Sequence, residues 1–363
     1  DATTNPSLLL SVAKQAQYSH LLKEAKRFAG QLNPDHDIGL LCDAFATVTG
    51  AEILKSIPGL VSTEVDARLS FDTNATLTRA RRLIAMYREL GIERERILIK
   101  IASTWEGIRA AEVLEEEDIR CNLTLLFALP QAIAAAEAGT TLISPFVGRI
   151  YDWHLKHGMA ITGPENDPGV QSVKQIFHTL KSRGFGTVVM GASFRQLWQI
   201  EALAGCDKLT IAPNLLEVLA ADDEPLTRAL DDRDIDSVDD VAPMREQEFR
   251  WLLNDNPMAT ELLAELIERV QNRRRRRHGD GGGRIERIVD ARHRQFEAFD
   301  AQVREANAVA DLDGEMADAI HGFQIKALRC RLVPVVHRDA RQSIECQRAV
   351  APCRKHALIG LVE

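Results

Sequence analysis

At 363 residues, with 45% hydrophobic and 27% charged residues, the chain is long enough to bury one barrel-sized core or two smaller ones. No apolar run approaches the length of a membrane span, and nothing near residue 1 reads as a secretory signal. The net charge of −8 is unevenly spread: residues 271–363 are net basic, and the body before them is strongly acidic, which argues against nucleic acid as its partner.

Over the first 215 or so residues, short apolar runs alternate with longer stretches of helical periodicity. The expected strands are Asp1–Asn5, Val61–Ala67, Ile97–Ala102, Cys121–Phe127, Thr141–Val147, Thr187–Ser193 and Lys208–Pro213. The helices expected between them are Ser7–Gln31, Asp37–Leu54, Ala75–Leu90, Trp105–Glu116, Ala128–Ala138, Val170–Lys181 and Phe194–Leu203. Glycines and prolines punctuate the joins, at Pro58-Gly59, Gly91, Gly139, Gly184 and Gly205. Such alternation implies a parallel sheet covered by helices.

Within the strands the polar residues keep to one face. Ser62, Glu64 and Asp66 alternate with Val61, Val65 and Ala67, and Asn122 and Thr124 alternate with Cys121, Leu123, Leu125 and Phe127. Lys100 shares a face with Leu98 and Ala102, opposite Ile97, Ile99 and Ile101. An ammonium in so apolar a strand must find a partner or lower its pKa, and a lysine of the second kind makes a Schiff-base nucleophile. Structural pairing and catalysis both fit that pattern. Repeated buried polar groups suit the interior of a closed β/α barrel, whose C-terminal mouth is where sites form. Seven strands are one short of eight, and the chain opens at Asp1 directly on a strand, so the expected fold is α/β, a (β/α)8 TIM barrel lacking its first strand.

Beyond the last strand, Leu215–Ala221 reads as a short helix and Asp222–Asp240 as a charged loop. Glu246–Asn254 and Met258–Val270 read as amphipathic helices closing against the barrel, which gives a barrel unit over residues 1–270. Residues 271–283, with Arg273–Arg277 and a glycine run, read as a linker, and residues 284–363 as an extension with one apolar patch, Leu332–Val336. The arginine run lacks interleaved aromatics, so a low-complexity linker is preferred over a nucleic-acid arm. Six dispersed cysteines form no metal-spaced cluster, which points to a reducing cytoplasm with Cys42, Cys121 and Cys206 as core fillers.

Two stretches, Thr3-Thr4-Asn5-Pro6-Ser7-Leu8-Leu9 and Ile97-Leu98-Ile99-Lys100-Ile101-Ala102-Ser103-Thr104-Trp105-Glu106-Gly107, resemble the signature motifs of transaldolases. Ser62–Arg68, Cys121–Phe127, Ile143–Arg149 and Gly191–Arg195 support the resemblance in the family's order, over roughly residues 1–270. It implies a class I mechanism needing neither metal nor cofactor. Lys100 matches the Schiff-base lysine, Glu64 the carboxylate that moves protons through a water, and Thr124 the hydroxyl that helps place that water. Asn5 and Asn122 match amides that bind the dihydroxyacetone hydroxyls, Ser144 a contact to the donor's C1 hydroxyl, and Phe146 an aromatic wall. Arg149, Ser193 and Arg195 match the phosphate-binding end, where an arginine's planar fork suits phosphate oxygens.

The implied substrates are sugar phosphates: fructose 6-phosphate and sedoheptulose 7-phosphate as donors, glyceraldehyde 3-phosphate and erythrose 4-phosphate as acceptors. Family members are often homodimers. The aspartate that serves the family as acid/base in carbon–carbon cleavage lies on a strand upstream of the motif beginning near Asp1, so no residue here matches it. Two other readings remain: an aldolase that cleaves without transfer, and an impaired barrel whose role lies in its basic tail.

Overall fold

The computed structural model describes residues 1–35, 38–233, 235–237 and 242–272, with side chains described through residue 267. The arginine run, the rest of the expected linker beyond Asn272, the extension 284–363 and parts of the charged loop 222–240 lie outside the described residues.

Seven parallel strands form one sheet in strict chain order: β1 (Ala2–Thr3), β2 (Val61–Glu64), β3 (Ile97–Ala102), β4 (Cys121–Leu126), β5 (Leu142–Pro145), β6 (Val188–Gly191) and β7 (Lys208–Leu209). The sheet curls into a partial TIM barrel. Its first and last strands approach closely enough for Lys208 to pair with Asp1, although no ladder joins β7 to β1 among the described residues. The Asp1 carboxylate also accepts the Leu60 amide at 2.8 Å, which ties the foot of β1 to that of β2.

The helices are α1 (Pro6–Ala13), α2 (Ser19–Leu32), α3 (Ile38–Leu54), α4 (Thr73–Glu89), α5 (Trp105–Glu116), α6 (Leu129–Glu137), α7 (Val147–Lys156), α8 (Pro168–Ser182), α9 (Leu197–Glu201), α10 (Pro213–Ala220), α11 (Glu246–Asn254) and α12 (Pro257–Asn272). Asn5, Asp72, Thr104 and Asp167 each accept a backbone amide at a helix start, satisfying donors that have no partner within the helix. Among the described residues, no helix is long and apolar enough to cross a membrane.

One face of the strands meets these helices. Val61, Ile97, Ile99, Ile101, Cys121, Leu123 and Ile143 pack there with Leu77, Ala80 and Leu83 of α4 and Ile108 and Leu114 of α5. The one polar strand residue facing this layer in β2, Thr63, meets the Tyr87 hydroxyl at 2.5 Å. Gly50 makes room for that ring, since a Cβ there would sit 1.9 Å from the Tyr87 oxygen. A separate cluster caps the strand ends: Met258, Ala259, Leu262, Leu263 and Ile267 of α12 pack on Ala102, Leu125, Phe127 and Ile150. This is the expected helical closure.

Three expectations are corrected. The helix Ser7–Gln31 breaks at Lys14–Gln15, so that Leu9 and Val12 of α1 join Leu21, Ala25 and Phe28 of α2 on one core against α3. The strand Thr141–Val147 ends at Pro145, and its last residue opens α7, a helix the periodicity did not reveal. Cys42 is exposed rather than a core filler; Cys121 is buried and Cys206 half-buried.

Candidate active site

β3 is rich in β-branched isoleucine, and its alternation turns Lys100 to the inner face of the curl. The ammonium is buried, at 7% residue exposure, and its Nζ lies 3.2 Å from Oε2 of Glu64 on β2. The backbone register sets this pair, because Glu64 stands directly beside Lys100, and Asn122 of β4 stands on the other side. Desolvating an ammonium disfavours its charged form, and the neighbouring carboxylate opposes that penalty.

Asn122 has no solvent exposure, and both ends of its amide are engaged. Its Nδ2 donates to Ser62 Oγ at 3.0 Å, and its Oδ1 accepts from Ser144 Oγ at 2.6 Å. A chain of polar groups thus crosses β2, β4 and β5 inside the curl. Thr124, two residues further along β4, is buried, and its Oγ1 has no hydrogen-bond partner among the described residues. Its carbonyl is held instead, accepting from both the amide and the hydroxyl of Ser103 at 2.7 Å. An unpartnered buried hydroxyl on the strand paired with that of Lys100 provides a place for a water or a substrate hydroxyl.

Asn5 follows β1 at the same end of the sheet. Its Oδ1 caps α1 through the Leu8 amide at 2.9 Å, so the helix-start role is realised, and the side-chain NH2 remains to donate. Phe146 follows β5 and packs edge-on against Phe127, ring centres 5.5 Å apart. It also forms a backbone bridge to Ala192 beyond β6 and so links the Lys100 group to a second one.

That second group surrounds the end of β6. Ser193 is buried and left-handed, with φ of 64°, a conformation that costs a non-glycine residue about 1–3 kcal/mol. Arg195 holds it there: Nη1 donates to Ser193 O at 3.0 Å, to Ser193 Oγ at 3.2 Å and to Phe194 O at 3.3 Å. The Val147 and Gly148 amides, at the start of α7, donate to Ala192 O and Ser193 O at 2.9 and 2.8 Å. Only glycine allows that approach, because a Cβ at 148 would lie 2.0 Å from Ser193 O.

Arg195 also grips Asp152 of α7 with Nε and Nη2, at 3.0 and 2.8 Å from Oδ2. With Nη1 turned to the Ser193 and Phe194 oxygens, this leaves the second N–H of Nη2 outside these contacts to meet a ligand. Arg149 stands in the first turn of α7, half-buried. The helix expected over Phe194–Leu203 starts only at Leu197, because the Arg195 and Gln196 amides turn to the Gln199 side chain at 2.8 and 3.2 Å.

The ten residues singled out from sequence therefore fall into two sets. Lys100, Glu64, Asn122, Ser144 and Thr124 lie together inside the curl, with Asn5 and Phe146 following neighbouring strands. Arg149, Ser193 and Arg195 gather where β5 and β6 end. Sequence reasoning passed over Ser62 and Asp152 as site residues. Ser62 was legible as the residue two before Glu64 on the same strand face. Asp152 was legible as an acid three residues after Arg149, had α7 been read as a helix. Among the described residues, no group of three or more His, Cys, Asp or Glu could hold a metal.

Comparison with known proteins fits this geometry. Residues 1–275 match the family model described as Transaldolase/Fructose-6-phosphate aldolase. A protein of Marinobacter nauticus named Transaldolase is 55% identical over 272 residues, covering 74% of this chain and 85% of that protein. One of a Marinomonas species with the same name is 54% identical over 270 residues, with the same shares covered. The chain belongs to the transaldolase/fructose-6-phosphate aldolase family.

Proposed function

We propose that this protein is a transaldolase, transferring a dihydroxyacetone unit from a ketose phosphate to an aldose phosphate through a Schiff base on Lys100. The observation that carries the reading is the pair of buried Lys100 and half-buried Glu64 at 3.2 Å beside the oriented amide of Asn122, in a chain more than half identical over 272 residues to a protein named Transaldolase. The donors are sedoheptulose 7-phosphate and fructose 6-phosphate, and the acceptors glyceraldehyde 3-phosphate and erythrose 4-phosphate. These place the reaction in the non-oxidative pentose phosphate pathway.

The amine of Lys100 attacks the C2 carbonyl, and loss of that oxygen as water leaves an iminium. Glu64 supplies and retrieves the protons of this step through a water that Thr124 positions. When the C3–C4 bond breaks, its electron pair moves into the iminium and forms an enamine. The C4 hydroxyl gives up its proton, and C4 leaves as the aldehyde carbon of the departing aldose phosphate. In the family this proton goes to an aspartate that no residue of the present chain matches. Asn5, Asn122 and Ser144 hold the three-carbon unit, Phe146 walls it, and Arg149, Ser193 and Arg195 bind the phosphate. The enamine then attacks the acceptor aldehyde, and hydrolysis frees Lys100.

Simple aldol cleavage uses the same lysine, and the family's description pairs the two activities. The names of the relatives favour transfer. Borohydride trapping with fructose 6-phosphate, followed by peptide mass mapping, tests the reading. A three-carbon adduct on Lys100 that disappears when erythrose 4-phosphate is added supports transfer. A three-carbon adduct that is lost equally fast without an acceptor supports cleavage alone. A six-carbon adduct means the Schiff base forms but the carbon–carbon bond does not break. No adduct on Lys100 sinks both activities.

A further inference from the structure

The strand that carries Thr124 is not regular. Its register against β5 shifts between Leu123 and Leu126, and Leu125 sits at φ of 54°, in the left-handed region that a branched side chain avoids. The irregularity redirects side chains: Leu125 joins the cluster under α12, and Leu126 joins the main core. In an uninterrupted strand, Leu126 would share the inner face with Thr124. The kink therefore leaves Thr124 as the last residue of β4 to face the site.

One side chain holds the kink in place. Gln131, three residues into α6 and without solvent exposure, uses all of its hydrogen-bonding capacity. Its Oε1 accepts from the Phe127 and Ala128 amides at 2.9 and 3.1 Å. Its Nε2 donates to the Leu125 carbonyl at 3.0 Å and to the Ser103 carbonyl at 2.9 Å. Ser103 closes the loop from the other side, since its amide and hydroxyl both donate to the Thr124 carbonyl. The single amide thus fastens the end of β3, three residues from Lys100, to the kink of β4, one residue from Thr124.

We propose that Gln131 is a positioning residue of the reaction: by holding Leu125 and Ser103 it aims the Thr124 hydroxyl relative to Lys100. This rests on the transaldolase reading above. The amide is chosen by chemistry, because only a group with two donors and two acceptor sites completes all four bonds. A glutamate keeps the acceptors and loses the donors; a leucine loses everything.

The test compares the full chain with its Gln131→Glu and Gln131→Leu variants in transfer from fructose 6-phosphate to erythrose 4-phosphate. In Gln131→Glu we expect kcat to fall about 10- to 100-fold, KM to stay within about two-fold and Lys100 to be trapped in full, a loss in the range of a misplaced general acid/base. The deficit should shrink as pH falls, because the introduced carboxyl, once protonated, can donate again. Combining Gln131→Glu with Thr124→Val should cost much less than the product of the single losses, the mark of two residues acting as a unit. Unchanged kcat in the glutamate variant, or losses that multiply, would overturn the proposal, as would a lower melting temperature with normal kinetics. Should the leucine variant fail to fold, the glutamate variant still decides. If the unaltered chain gives no adduct on Lys100, the transfer reading fails by itself. Whether Gln131 aims Thr124 is then judged from a crystal structure of the glutamate variant, where an unmoved Thr124 hydroxyl overturns the proposal and a displaced one, with a relaxed φ at Leu125, upholds it.

Discussion

The two halves of the site are built by opposite means. Around Lys100, the paired groups stand on β-strands and find their partners across the sheet: Glu64 beside Lys100, Ser62 and Ser144 on either end of the Asn122 amide. Around Arg195, the groups stand on loops and the first turn of α7, the backbone is left-handed at Ser193, and the main ion pair is open to solvent, with 30% and 44% side-chain exposure for Arg195 and Asp152. Bond-making needs atoms held within fractions of an ångström, which a buried parallel ladder supplies. Recognising a phosphate needs charge that can meet a mobile ligand and release it. A half-exposed arginine gives that at little desolvation penalty.

If this division is right, mutations at the two ends should separate in kinetics. The largest effect is expected from Lys100→Ala: no borohydride adduct, and kcat/KM lower by about 10⁴-fold or more, as when a covalent nucleophile is removed. Residual turnover within tenfold of the unaltered chain would refute the Schiff-base role. Next is Glu64→Gln, with kcat lower by about 10²- to 10⁴-fold and Lys100 still trapped, though slowly. This change also leaves the ammonium without its carboxylate, and breaking a buried pair costs about 3–5 kcal/mol. Because the side chains of the pair keep 9% and 14% exposure, a loss near the lower end is expected in chemical denaturation. A Glu64→Gln chain of full stability and full kcat would mean that the carboxylate is a bystander.

Arg195→Ala should behave differently. Charge-assisted hydrogen bonds are worth about 1.5–3 kcal/mol, which corresponds to a rise of about 10- to 100-fold in KM for a phosphorylated donor. Its kcat should change far less, and an unphosphorylated ketose should be used as well as before. A kcat collapse with unchanged KM would move Arg195 into the chemistry and dissolve the contrast between the two ends.

The contrast also explains what could be read from the sequence. All seven strands were legible because each is a short segment, apolar or alternating, set between helical stretches, and the period-two placing of Glu64, Lys100, Asn122 and Thr124 follows from the pleat alone. The roles of those residues came from resemblance, since alternation says which face a side chain takes and not what it does there. The Arg195 end was less legible. α7 begins inside an apolar run that continues β5, and it buries only Val147, Gly148 and Ile150, too few to impose a helical period. The left-handed backbone at Ser193 and Leu125 leaves no mark either, because neither residue is a glycine and each is held by another residue's side chain, Arg195 and Gln131. Asn5 shows the limit from another side: the helix cap and the proposed site residue are the same side chain, and local sequence signals only the cap.

The smallest expected effect probes the exposed end most closely. Asp152 occupies the Nε–Nη2 side of Arg195 while Ser193 and Phe194 carbonyls take Nη1, so the carboxylate helps fix the plane of the guanidinium. Exposed ion pairs are worth about 0.2–1 kcal/mol, so Asp152→Ala should raise KM for the phosphorylated donor only about two- to five-fold, with kcat intact. The increase should be smaller at high salt, where the pair is already screened. A fall in KM would mean that Asp152 competes with phosphate for the arginine instead of orienting it. The phosphate end would then be a charge-exchange site, occupied by the protein's own carboxylate until substrate displaces it.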